Sequence, residues 1–285
     1  MADNTATTKG RALGAALRKA REEHGSSLRA VARDLGIDPS SLSRWEAGKR
    51  VPRPADVARI LGHLGIDNSR YDEIMAMLDG VDATQWLAIS LPEQRQQNSA
   101  LLDFEAAAET IIEVAPLLIP GLVQTRGYAR AIMSGGTVPA EEVSTRVATR
   151  LGRREVVSAE RSDPANLVVL IGEAALRQRI GSAEVMVEQL EYLLRVAAWE
   201  NVDLRMIQFS SGWHPALEGP FTLIDPRDDG FPIVFLENRR SGLILHQEAD
   251  VAAYREAVDF VLQVAMSPEA SAELIADVIK GMRTG

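Results

Sequence analysis

The chain has 285 residues, enough for two domains, with 46% apolar and 25% charged residues. It has no cysteine, which excludes disulfide frameworks, cysteine zinc sites and thiol catalysis and suits a reducing compartment. Its net charge of −9 argues against a nucleic-acid partner, but the charge is split: Lys9 to Arg53 holds 11 Lys/Arg against 5 Asp/Glu (+6), and the rest holds 20 against 35 (−15). A basic head on an acidic body is the asymmetry expected when one module alone touches phosphate.

In chain order, "MADNTATTKG" has no apolar core and reads as no signal peptide, and no run reaches the roughly 18 apolar residues of a membrane span. A soluble cytoplasmic protein is expected. "RALGAALRKAREEHG" has helical spacing and stops at His24-Gly25. Ser27 offers an N-cap for "LRAVARDLG", which Gly36 ends. Asp38 is the next N-cap, and Pro39 fits the first helical position of a helix running to Ala47. "ADVARILGHLG" and "SRYDEIMAMLDG" give a fourth and a fifth helix. Residues 9–80 thus form a five-helix domain.

Residues 81–99, ending in a glutamine-rich run, read as a connecting segment before a larger domain at 100–285. "ALLDFEAAAETIIEVA" predicts one helix stopping at Pro116, "PLLIPGLVQT" an extended or turn-like stretch, and 125–134 and 139–158 two more helices. A strand ("NLVVLIG") and a long helix ("SAEVMVEQLEYLLRVAAWE") follow. Four further strand-like runs, "VDLRMIQF", "GPFTLID", "FPIVFLEN" and "GLILH", precede closing helices at 248–265 and 267–281. The expected fold is mainly α, with a C-terminal α+β domain whose small sheet is mostly antiparallel.

The helix–glycine turn–helix at residues 28–47 is how a protein lays one short helix in the major groove with the preceding helix braced across the backbone. Leu42, Trp45 and Glu46 share one face of the second helix, which turns Ser40, Ser41 and Arg44 outward. Serine can exchange hydrogen bonds with base edges, and arginine can bind guanine through O6 and N7. Lys49, Arg50 and Arg53 follow where the chain would pass phosphates, setting affinity and salt dependence.

"SLRAVARDLGIDPSSLSRWEAGKRVP" closely resembles the XRE, or Cro/cI-repressor-like, helix-turn-helix, with its A-x-x-x-G, cap and S-x-x-S-R-x-E-x-G spacing. The resemblance, over about residues 10–78, implies that Ser27 caps the bracing helix at the DNA backbone and that Pro39, Ser40 and Arg44 hold base-reading positions. It places Ser43 near the backbone and pairs Glu46 with Arg21 of the first helix. The family often has glutamine where this chain has Pro39, which can make only apolar or steric contacts, so reading would fall on Ser40, Ser41 and Arg44. "FEAAAETIIEVAPLLIPGLVQTRGYARAIM", "RVATRLGRREVV", "GEAALRQRIG" and "VMVEQLEYLL" are similar to the C-terminal domain, of unassigned biochemical function, in WhiJ-like actinomycete regulators. That resemblance implies a regulator, often with a small partner protein encoded beside it in an antitoxin-like arrangement.

In the C-terminal region Arg146, Arg150, Arg153 and Arg154 stand at i, i+4, i+7 and i+8. They could hold an anionic ligand or an acidic partner, or form a solvated face paired with Glu142 or Glu155. Gln124 and Tyr128 beside the Pro120-Gly121 turn could edge a pocket or merely seat the next helix. His24, His63, His214 and His246 match no metal spacing, and no nucleophile elbow, phosphate loop or dinucleotide fingerprint is present. Asp228-Asp229 reads as a solvated hairpin loop. No cofactor and no enzymatic activity are expected. Double-stranded DNA, bound as a homodimer, is the expected partner, with a small effector or a small protein at the C-terminal domain. An antitoxin-like protein that sequesters a partner and autoregulates is the alternative.

Overall fold

The computed structural model describes residues 7–81, 85–136, 138–227, 230–239 and 241–284, and Asp228-Asp229 lies outside them. Two compact units emerge: Met1–Phe104 with Glu237–Glu248, and Glu105–Leu236 with Ala249–Gly285.

The first unit begins with five helices, α1 (Thr8–Glu23), α2 (Leu28–Leu35), α3 (Pro39–Glu46), α4 (Pro54–His63) and α5 (Asn68–Ala76). Their starts are set locally. Thr7 accepts the Gly10 N–H, Ser27 that of Ala30, Asp38 that of Ser41 and Asp67 that of Arg70, each satisfying a donor the first helical turn leaves unpaired. Leu13, Leu17, Val31, Leu42, Trp45 and Ile60 are among the residues that meet in one buried cluster. Two glycines let α1 lie on the end of α3. A Cβ on Gly14 would stand 2.4 Å from the Trp45 carbonyl oxygen, and one on Gly48, whose φ is +65°, would stand 2.5 Å from the Arg11 Cα.

The stretch expected to connect the domains is folded into this unit. It supplies β1 (Gln85–Ala88) and the first half of α6 (Leu91–Ala106). Its glutamines, which suggested a polar linker, are buried and used: Gln96 donates to the Glu73 carbonyl at 2.9 Å and Gln97 to that of Trp86 at 2.8 Å.

In the second unit the predicted helix ending at Pro116 gives way, past Ala106, to strand β2 (Ala108–Ala115). Thr110, Ile111, Ile112 and Val114 are β-branched and suit a strand paired on both sides. The order continues with α7 (Arg126–Gly135), α8 (Ala140–Gly152), β3 (Asn166–Gly172), α9 (Glu173–Arg177), α10 (Ala183–Val196), β4 (Val202–Ile207), β5 (Phe221–Pro226), β6 (Ile233–Asn238), β7 (Ser241–Leu245), α11 (Glu248–Val264) and α12 (Pro268–Thr284). Within the unit the strand order is β6-β5-β2-β3-β4. The sheet is mixed: β2 and β4 run parallel to β3, and β5 is antiparallel to β2 and β6. The parallel half arises because helices cross over between β2 and β3 and between β3 and β4. In the first unit β7 pairs antiparallel with β1. The expected architecture of a helical N-terminal domain and a larger domain of helices and sheet is the observed one. The short helix α9 went unread in the sequence.

Candidate nucleic-acid interface

Helices α2 and α3 meet at a turn in which Gly36 has φ +61° and Asp38 opens α3. The apolar face is buried beneath α3, with Leu42, Trp45 and Glu46 inward. Pro39, Ser40, Ser43 and Arg44 are exposed and Ser41 is half-buried. Arg44 Nη2 donates to the Ser41 hydroxyl oxygen at 3.4 Å, so the guanidinium lies along the outward face rather than folding back on the core.

The orientation of α3 is fixed from behind. Arg21 of α1 donates through Nε and Nη2 to the two carboxylate oxygens of Glu46, each at 2.7 Å, and through Nη1 to the Ser26 carbonyl at 3.0 Å. Hydrogen bonding to Glu46 raises the Arg21 pKa above its ordinary value. The pair is nearly dry, with Arg21 and Glu46 side chains 11% and 6% exposed. A bidentate pair of this kind specifies geometry as well as charge.

Past α3 the Lys49 and Arg50 N–H groups both donate to the Arg44 carbonyl, at 2.9 and 3.3 Å, which turns the chain while both side chains stay exposed. Arg53 stands at the entry to α4 without a side-chain cap bond. Its Nε lies 3.0 Å from the buried Asp56 carboxylate, and its side chain remains 85% exposed. Ser27 is exposed at the start of α2 and accepts the Ala30 N–H at 3.2 Å. The expected base-facing and phosphate-facing residues therefore all lie at the surface of the first unit, Ser41 partly so. Arg29 and Arg33 are exposed on α2 as well, and sequence reasoning did not single them out.

The second-unit candidates are arranged differently from expectation. Helix α8 ends at Gly152, and Arg153 and Arg154 belong to a 3-10 turn, Arg153–Val157, so the four arginines do not share one helical face. Each is engaged. Arg146 pairs with Glu142 at 2.7 Å, Arg150 Nη1 donates to the Gln124 side-chain oxygen at 3.3 Å, and Arg153 grips buried Glu105, its Nε at 2.9 Å. Arg154 donates to the Tyr192 hydroxyl and lies 4.3 Å from the centre of its ring. Gln124 and Tyr128 are both buried. Gln124 donates to the Ile119 carbonyl at 2.7 Å, and the Tyr128 hydroxyl accepts the Ile119 N–H at 3.3 Å. They brace the turn before α7.

One surface feature of this unit was not read from the sequence. Phe209, Trp213 and Leu217 are 66%, 63% and 60% exposed, and Phe260 of α11 is 40% exposed. Trp213 packs edge-on against Phe260 with ring centres 5.8 Å apart. Isolated exposed apolar residues are ordinary; two large exposed rings packed on each other, as Trp213 and Phe260 are, are less so. Phe209, Trp213 and Leu217 lie in the turns and loop between β4 and β5 and Phe260 on α11, so nothing local in the sequence announces that Trp213 and Phe260 meet.

The histidines remain apart from one another in role. His24 contacts the Ser26 hydroxyl at 2.9 Å, His63 lies 3.8 Å from Asp34, and His246 lies 3.5 Å from the Thr8 hydroxyl. His214 is buried, its Nδ1 has no partner among the described residues, and burial lowers its pKa. Among the described residues no group of three or more His, Asp or Glu side chains is placed to hold a metal ion, and no helix is long and apolar enough to cross a membrane.

Residues 12–74 match the family described as "Helix-turn-helix domain", and residues 99–277 match the family described as "Domain of unknown function (DUF5753)". No curated protein matches the chain.

Proposed function

We propose, for a chain that belongs to the DUF5753 family and carries a helix-turn-helix domain at its N-terminal end, the role of a sequence-specific DNA-binding transcriptional regulator. It is of the XRE, Cro/cI-repressor-like kind, with a C-terminal domain like that of WhiJ-like regulators, and it acts in the cytoplasm without catalysis of its own. The observation that carries this reading is the outward, exposed Arg44 on a helix whose opposite face is clamped by the Arg21–Glu46 pair. Pro39, Ser40, Ser41 and Arg44 meet base edges. Ser27, Ser43, Lys49, Arg50 and Arg53 meet the sugar-phosphate backbone. One such unit reads too few base pairs for genomic selectivity, so the protein binds a palindromic site as a homodimer, its half-sites about 34 Å apart or a multiple of that.

A gel shift on a duplex selected from a random pool tests this. Arg44→Ala should weaken specific binding by roughly 10- to 100-fold and leave non-specific binding and helical content unchanged. Unchanged specific affinity removes Arg44 from the interface and the reading with it.

The exposed, mutually packed rings of Trp213 and Phe260 favour a second reading of the C-terminal domain. There it is an antitoxin-like module that holds a small partner protein, with DNA binding serving autoregulation. Loss of a co-purifying partner on Trp213→Ser substitution, with DNA binding intact, supports it over small-molecule sensing.

A further inference from the structure

The residue that opens α3 does more than cap it. Asp38 Oδ2 accepts the Ser41 N–H at 2.9 Å and the Ser41 hydroxyl at 3.1 Å, and it accepts the Ser40 hydroxyl as well. The Ser40 bond, followed by those from Ser41, holds the Asp38 carboxyl below its ordinary range. It is therefore ionised at neutral pH and has no proton to give, so in both hydroxyl contacts serine is the donor. Each hydroxyl has a single proton, and both are directed at Asp38. Exposed Ser40 thus turns only oxygen lone pairs outward. Ser41 is half-buried and its oxygen already receives Arg44 Nη2 at 3.4 Å, so besides its place at the base edges it steers Arg44.

In the major groove adenine N6 and cytosine N4 are donors, whereas guanine N7 and O6 and thymine O4 are acceptors. A hydroxyl held as an acceptor pairs with the first class and sets lone pair against lone pair with the second. Every base pair carries one amino and one keto edge, so such a hydroxyl does not separate A·T from G·C. It selects the strand that carries the amino base.

We infer that Asp38 is a specificity-determining positioning residue: by holding the Ser40 proton it makes Ser40 read an amino-bearing base, adenine or cytosine, while Arg44, braced by Ser41, reads guanine. The inference rests on the DNA-binding reading above and names the base class recognised at that same site.

The test uses the full chain. A binding site is selected from a random duplex pool, and affinities are measured with all four bases at each position. The wild type should show one position at which adenine and cytosine outbind guanine and thymine by roughly fivefold or more. Ser40→Ala keeps the Asp38 cap on the Ser41 N–H and should flatten that position alone. Where the position holds adenine, replacing it with purine, which lacks the N6 amino group, should lower wild-type affinity to the keto-base level and leave Ser40→Ala unaffected. Asp38→Ala should admit guanine and thymine there while the Arg44-dependent guanine is retained, and the Ser40→Ala and purine measurements stand if that variant loses its α3 cap and fails to fold. If the position flattened by Ser40→Ala is one at which the wild type prefers guanine or thymine, or if Ser40→Ala flattens no position, the inference is overturned and DNA reading is left standing. A pool that enriches no sequence overturns DNA reading itself.

Discussion

Arg21 and Glu46 face each other through two parallel hydrogen bonds of 2.7 Å, one from Nε and one from Nη2, and this contact ties α1 to the far end of α3. Removing one partner leaves the other charge buried, which typically costs roughly 3–5 kcal/mol, whereas replacing both with apolar groups of similar volume is often neutral. Arg21→Met should therefore lower stability by that amount in urea unfolding, and adding Glu46→Leu should recover most of it. DNA affinity follows orientation rather than stability, so the double variant should remain weakened for its specific site. A double variant as unstable as the single one would mean that the pair makes no special demand on its partners.

Gly14 and Gly48 define how closely α1 approaches α3. A Cβ at Gly14 meets the Trp45 and Glu46 carbonyl oxygens at 2.4 and 2.9 Å, and both belong to backbone that cannot swing aside. Gly48 adds a φ of +65° to a 2.5 Å approach to Arg11 Cα. Alanine at either position should cost roughly 2–4 kcal/mol through overpacking and strain. Gly62, near the end of α4 with nothing within 4 Å of its built Cβ, is the control. There alanine should stabilise by about 0.5–1 kcal/mol. The three melting temperatures, compared by calorimetry, check the contrast.

The legible part of the molecule is the part whose signals are local. Ser27, Gly36, Asp38 and Pro39 mark helix ends within a few residues of where they act, and the inward set Leu42, Trp45 and Glu46 follows from helical spacing alone. The Arg21–Glu46 pair was reached only through resemblance, because nothing in 25 residues of separation announces it. The misread segments depend on distant partners. Residues 108–115 carry an apolar run that fits either a helix or a doubly paired strand, and β3 and β5 decide it. Gln96 and Gln97 look like linker residues until the Glu73 and Trp86 carbonyls are placed against them. The arginine stripe fails at Gly152, where the helix ends. The Asp38 network is a different case: an aspartate followed two and three residues later by serines is visible in sequence, but the spacing announces the cap and not the direction in which the two hydroxyls donate.

Lys49 and Arg50 hang by their N–H groups from the Arg44 carbonyl and expose their side chains beyond α3. As phosphate-contacting groups they contribute affinity without sequence choice. Each releases about one counterion on binding, which sets the slope of log affinity against log salt at roughly −0.9 per contact. Lys49→Ala and Arg50→Ala should each reduce that slope by about 1 and weaken cognate and random duplexes by the same factor. A substitution that instead weakens the cognate duplex alone would move that residue from the backbone to the bases.

Glu113 lies on β2 between Val169 of β3 and Thr222 of β5. It is buried, and its Oε2 has no hydrogen-bond partner among the described residues. Burial pushes its carboxyl from the usual 4.5 up to about 7; Arg153 and Arg150 oppose the rise and Glu105 adds to it. Between those two values the folded chain keeps a proton that the unfolded chain has released, so stability falls as pH rises through that window. Below about 4.5 both states are protonated and there is no penalty; above about 7 both are ionised and the penalty is complete. At 1.36 kcal/mol per pKa unit the penalty amounts to at most about 3 kcal/mol. Glu113→Gln keeps the shape and removes the charge, so at pH 8 it should raise the urea midpoint of the wild type, and near pH 4.5 the two proteins should unfold together. If the two midpoints stay equally spaced from pH 4.5 to pH 8, the proton is held by another group.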